Sequence, residues 1–99
     1  MVSGYTKGPW LRDGRTVYAL QDSKSKFVDK ENRFSAGFYS GNGCPEAEVI
    51  ANATLAAAAP ELLEALELIL SYHDDGNCKL HKEDVAMARA AIAKALGNH

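Results

Sequence analysis

The chain has 99 residues, 46% of them hydrophobic and 24% charged, and a net charge of −2. Much of the hydrophobic share is alanine, so these totals allow one globular domain with a modest core and exclude a disordered chain or a strongly basic nucleic-acid binder. No apolar run reaches the roughly 18 residues of a membrane-spanning helix, and the opening MVSGYTKGPWLRDGR lacks an apolar signal core.

Charge is unevenly placed. Residues 1–43 carry seven bases against four acids, and residues 44–99 four bases against nine acids. Such a split can orient one subunit against another or steer a charged partner. The two cysteines, Cys44 and Cys78, read as free thiols in a reducing compartment. A core this small is expected to share its stability with a partner chain.

In chain order, PWLR, Asp13-Gly14 and RTVYAL form a β-hairpin signal, Asp-Gly predicting a type I′ turn. Gln21 to Asn32 is polar and predicts a long connection, with a short edge strand around Phe27. RFSAGFY alternates, which predicts a half-buried strand over 33–39 with Phe34, Ala36 and Phe38 facing inward. Pro45, followed by Glu46 and Glu48, marks a helix start, and the first helix is expected from about Pro45 to Ala58 with Val49, Ile50, Ala53 and Ala57 on its apolar face. Pro60 lacks an N–H and disfavours helical geometry in Ala59, so it separates a second helix from the first or kinks it sharply.

In that second helix Leu62, Leu63, Leu66, Ile69 and Leu70 make a broad apolar stripe, opposite Glu61, Glu64 and Glu67. His73 to Asn77 reads as a turn. A third helix is expected from Lys82 to a stop at Gly97, burying Val85, Ala88, Ile92 and Leu96 with Met87 and Ala91 flanking. The predicted fold is α+β: a small antiparallel sheet of about three strands, then three helices, the last two an antiparallel hairpin. Residues 1–99 are expected to form a single domain, with a strand-rich half to residue 43 and a helical half from residue 44.

Tyr5-Thr6-Lys7-Gly8-Pro9-Trp10, the segment from Ala51 through Pro60 to Leu63, and the end from Ala88 to Gly97 together resemble the Ead-like group of small early-region proteins of tailed phages and prophages. That group has a T-x-G-P-W opening and a later N-A-x-x-I-A-A-A-x-P-x-x-L-x-x-L segment. The resemblance covers about half the chain. It implies a phage accessory protein acting in the bacterial cytoplasm, and it carries over no catalytic residue.

Three constellations stand out. His73, Cys78 and His81, with Asp74 and Asp75, are ligand types that zinc prefers. Only Cys78 and His81 are tightly spaced, so a solvated turn is the stronger reading, and no metal or other cofactor is expected. Ser40, Gly41, Asn42, Gly43 and Cys44 form a glycine loop before a helix start, where backbone N–H groups can converge on an anion; such a terminus can also lower the Cys44 pKa, although a small half-buried residue is the stronger reading of Cys44. The phosphate-loop lysine and hydroxyl are missing. The aromatics Tyr5, Trp10, Tyr18, Phe34, Phe38 and Tyr39, interleaved with Arg12, Arg15, Lys26 and Arg33, have the composition of a single-strand stacking surface, although Trp10, Phe34 and Phe38 are better explained as sheet core.

No acid–base pair or serine–histidine–acid set can be assembled, so an enzyme is not expected. The expectation is a non-enzymatic homo-oligomer that binds a host or phage macromolecule, with neither a membrane nor a nucleic acid as partner. In it the helical hairpin supplies the core, the alanine-rich first helix the self-association face, and Arg33, Tyr39 and the Ser40–Gly43 loop the binding site. The alternative is a binding module for a small anion such as a nucleotide, which that loop would hold.

Overall fold

The computed structural model describes residues 4–97. The order of elements is β1 (Leu11–Asp13), β2 (Thr16–Asp22), β3 (Lys30–Gly37), α1 (Glu46–Ala57), α2 (Ala59–Asp74) and α3 (Lys82–Ala95). The three strands form one antiparallel sheet in the order β1-β2-β3. The α+β class and the strand-then-helix order agree with the sequence reading. The described chain divides into two compact units, one from Thr6 to Pro60 and one of Gly4 and Tyr5 with residues 61–97. The cut follows Pro60, so α1 belongs with the sheet.

In the first unit, α1 packs on β2 and β1. Val17 and Ala19 of β2 and Val49 and Ala53 of α1 are all at most 2% exposed. Burying each valine contributes about 1.5–3 kcal/mol, and the two alanines let helix and strand approach closely. Trp10 meets Phe34 edge to face, with ring centroids 5.1 Å apart, and its indole N–H donates to the Thr6 carbonyl at 2.9 Å.

Several local expectations change. The hairpin loop is Gly14–Arg15, flanked by the pair Asp13 and Thr16, and only Gly14 has a positive φ, +59°. That is the pattern of a type II′ turn, not type I′, because arginine in the second central position avoids the left-handed region.

The connection after β2 is shorter than expected, Ser23 to Asp29, closed by a bond from Ser23 N–H to the Asp29 carbonyl at 3.0 Å. No strand forms around Phe27, which is 88% exposed. There the Ser23 and Ser25 hydroxyls accept the N–H groups of Ser25 and Phe27, a local turn that competes with strand pairing. Strand β3 accordingly starts earlier and ends at Gly37, with one extra residue, Arg33, bulged opposite the Ala19–Leu20 step. Ala36 is exposed instead of inward-buried, since β3 is an edge strand and α1 covers only β1 and β2.

Helix α1 ends at Ala57, and the Ala58 N–H is shared between the Thr54 and Leu55 carbonyls at 3.3 and 3.1 Å. Pro60 cannot donate to the Ala56 carbonyl, so the ladder breaks there and α2 begins at Ala59. His73 and Asp74 lie in the last turn of α2, not in the loop that follows. Its first unpaired carbonyls are taken by Asp75 and Asn77, whose N–H groups donate to Ser71 and Tyr72. Helix α3 ends with Leu96 as C-cap, followed by Gly97. The hairpin is not the main core: Leu70 is 4% exposed, but Leu63, Leu66, Val85, Ile92 and Leu96 are only half-buried and α3 has no buried residue. Two helices make a single layer, which cannot enclose a side chain from both sides.

Gly8 sits against the buried Pro60 ring, where an added Cβ would lie 3.0 Å from the proline Cβ. A ring fixed to the backbone has little room to yield. Gly8→Ala is therefore expected to destabilise the Thr6–Pro60 unit by about 1–3 kcal/mol, read from denaturant unfolding followed by the fluorescence of the single tryptophan. An unchanged midpoint would contradict this packing.

Candidate functional site

The sheet end that carries the Gly14–Arg15 turn is also where the chain leaves β3 and enters α1. Phe38 N–H donates to the Arg15 carbonyl at 2.9 Å, holding the exit from β3 against the hairpin turn. Tyr39 follows, 85% exposed, with its ring over Gly37, whose absent Cβ would lie 3.1 Å from the phenol oxygen. Ser40, Gly41, Asn42 and Gly43 are all exposed, and Cys44 N–H closes a turn onto the Gly41 carbonyl at 3.2 Å. Pro45 then caps α1 through its backbone.

The first turn of α1 is already occupied by charge. Glu46 and Glu48 stand at the positive end of the helix dipole. The Arg15 guanidinium donates to both Glu46 carboxylate oxygens, 3.0 Å from Nε to Oε1 and closer still from Nη2 to Oε2. This fork ties the hairpin turn to the helix start. Its hydrogen bonds hold the Glu46 carboxyl below its usual range and the Arg15 guanidinium above its own.

The residues proposed from the sequence are thus divided. Tyr39 to Gly43 cluster at this end. Arg33, at the bulge, lies on the order of 13 Å along the strand from Gly37, and its guanidinium donates to Gln21 Oε1 at 3.1 Å. Arg15, the cation that does stand beside the loop, is committed to Glu46. Sequence reading missed that pair because its members are 31 residues apart; the only local signal was an arginine in a turn and a glutamate at a helix start.

Cys44 is not activated. Burial pushes its thiol up, and the neighbouring Glu48, through its charge and a hydrogen bond, raises it further, with Arg15 opposing weakly. Cys44 is half-buried, in line with the stronger sequence reading, and the helix terminus does not lower its pKa. In the helical unit, His73 Nδ1 accepts the Leu80 N–H at 3.3 Å, and His81 is the N-cap of α3 with no side-chain capping bond. Among the described residues no group of three or more histidine, cysteine, aspartate or glutamate side chains is arranged to hold a metal ion. No described helix is long and apolar enough to cross a membrane.

Large apolar side chains are exposed in both units, Leu11, Leu20, Phe27, Val28, Tyr39 and Leu55 in the first and five in the helical one. Leu62, Leu68, Ile69, Tyr72 and Met87 are between 46% and 67% exposed. Leu66, Ile69, Leu70, Leu80, Met87 and Ala91 line an open groove of about 330 Å³. On the far side of the hairpin Arg89 pairs with Asp74 at 2.6 Å.

Over residues 1–99 the sequence matches the family described as Salmonella phage P22 protein Y8K6. The chain belongs to this phage protein family. The match fixes the phage context that the T-x-G-P-W opening and the alanine-rich segment suggested, while assigning the chain to the Y8K6 family and not to the Ead-like group as such. No curated protein and no solved structure matches the chain.

Two outcomes follow from this geometry. Because the folded-state pKa of Glu46 is depressed, its pairing with Arg15 contributes stability fully above the ordinary carboxyl value of 4.5 and loses it as pH falls through the lowered folded value. Denaturation curves of the native protein and Glu46→Gln should therefore differ at neutral pH and converge in acid; a constant gap would refute the pairing. In Cys78→Ser protein, Cys44 should react with a disulfide reagent at neutral pH more slowly than free cysteine does.

Proposed function

We propose that this chain is a non-enzymatic accessory protein of the phage, a small homo-oligomer that binds a host or phage macromolecule in the bacterial cytoplasm. Kinship with the Ead-like proteins, carried by the same two motifs, is part of this reading.

One observation carries the proposal: the distribution of burial. The helical unit has a single fully buried side chain, Leu70, and leaves five large apolar residues substantially exposed. A helical layer of this length does not supply enough buried area to be stable alone, and small domains of this kind often draw on oligomerisation. The chemistry of the described residues points the same way. There is no buried polar or charged side chain, and burial and the neighbouring Glu48 raise the pKa of the Cys44 thiol beside the α1 terminus. The glycine loop has acids in the helix turn it feeds and its nearest cation engaged, so no specific observation favours an anionic ligand.

Light scattering on the purified chain should give a mass that is a multiple of 10.7 kDa at micromolar concentration. Capture from phage-infected cells should retrieve one macromolecule in fixed stoichiometry. A single-chain mass at every concentration would refute the oligomer, and capture of nothing stoichiometric would refute the binding role.

A further inference from the structure

We propose that the exposed face of α3 is a self-complementary contact, on which a second copy of this chain packs with its own α3 antiparallel. The inference rests on the homo-oligomer reading and locates its interface.

Glu83, Met87, Ala90 and Lys94 recur at spacings of four, three and four residues, the seam of a helix that packs lengthwise on another. All four are exposed, Met87 by 67%. Neither Glu83 nor Lys94 is in an ion pair among the described residues, whereas Arg89, on another face of the helix, is held by Asp74.

The order along the seam is what selects the occupant. In an antiparallel pair about a two-fold axis between Ala88 and Arg89, Glu83 of one copy meets Lys94 of the other. In the same register Met87 meets Ala90, a long side chain entering the space left by a short one. The pattern matches its own reverse, as an isologous interface requires. A parallel arrangement would set Glu83 against Glu83 and Lys94 against Lys94, which opposes pairing.

Met87 and Ala91 also border the groove with Ile69 and Leu80, so a helix seated on the seam covers that groove's open side.

The test is sedimentation velocity on the full chain over a concentration series, with circular dichroism to check folding. The native protein should dimerise, Met87→Leu should preserve the dimer, and Met87→Glu should weaken it by about 100-fold. Glu83→Lys or Lys94→Glu alone should weaken it by about fivefold, and the two together should restore the native constant. If Met87→Glu fails to fold, the charge reversals at exposed positions decide the matter. A native dimer insensitive to all these changes, or single reversals without mutual rescue, would overturn this interface while leaving the oligomer standing. A native protein that stays monomeric would overturn both.

Discussion

A bare α-carbon pressed on a buried proline ring is the constraint on which the Thr6–Pro60 unit depends. Gly8 brings the start of the chain to the point where α1 gives way to α2, and Pro60 provides a rigid apolar surface there because it cannot continue the helical ladder. The same proline therefore acts twice, as a break in the backbone and as a packing element. With the chain start held in this way, Trp10 can lie against Phe34, and α1 can lay Val49 and Ala53 on Val17 and Ala19. The two stretches that suggested phage kinship, the T-x-G-P-W opening and the alanine-rich segment ending at Pro60, thus meet in one contact.

Around this core the polar contacts mainly position elements. The Arg15–Glu46 fork fastens the hairpin turn to the first turn of α1, and Phe38 N–H fastens the exit from β3 to the same turn. Lys30 and Asp22 close the other end of the β2–β3 pair at 2.5 Å. These pairs are exposed, and exposed pairs contribute little to stability on their own. Their effect is geometric. They hold the Tyr39–Gly43 loop against the end of the sheet and leave its one nearby cation already neutralised.

The helical unit follows a different physics. Its sequence has enough leucine for a core, but two helices offer only one shared face, and α2 is apolar over more than that face. Ile69, Leu62, Leu68 and Tyr72 are consequently left at the surface together with Met87. The sheet-and-helix unit buries Val17, Ala19, Val49 and Ala53 between its layers, whereas the helical unit buries Leu70 alone among the described residues. The chain belongs to the family of phage P22 protein Y8K6.

Local rules were enough for much of the architecture. Helix starts at Pro45 and Lys82, the stop at Gly97, the break at Pro60 and the hairpin at Gly14 all depend on backbone chemistry confined to a few neighbouring residues, and all were legible in the sequence. The loop around Phe27 was misread because serine hydroxyls there bond to the backbone while the pattern still shows an apolar pair. The candidate site was legible only in part. Tyr39 to Gly43 are contiguous; Arg33 was joined to Tyr39 by the alternation of one expected strand over 33–39, but that strand ends at Gly37 and the bulge at Arg33 breaks the alternation. By itself the sequence determined the order and kind of the elements and most of the breaks between them. Only the tertiary structure decided that Arg15 belongs to Glu46, that Gly8 meets Pro60 and that the hairpin stays open, because burial and ion pairing depend on distances between segments that periodicity along a chain does not encode.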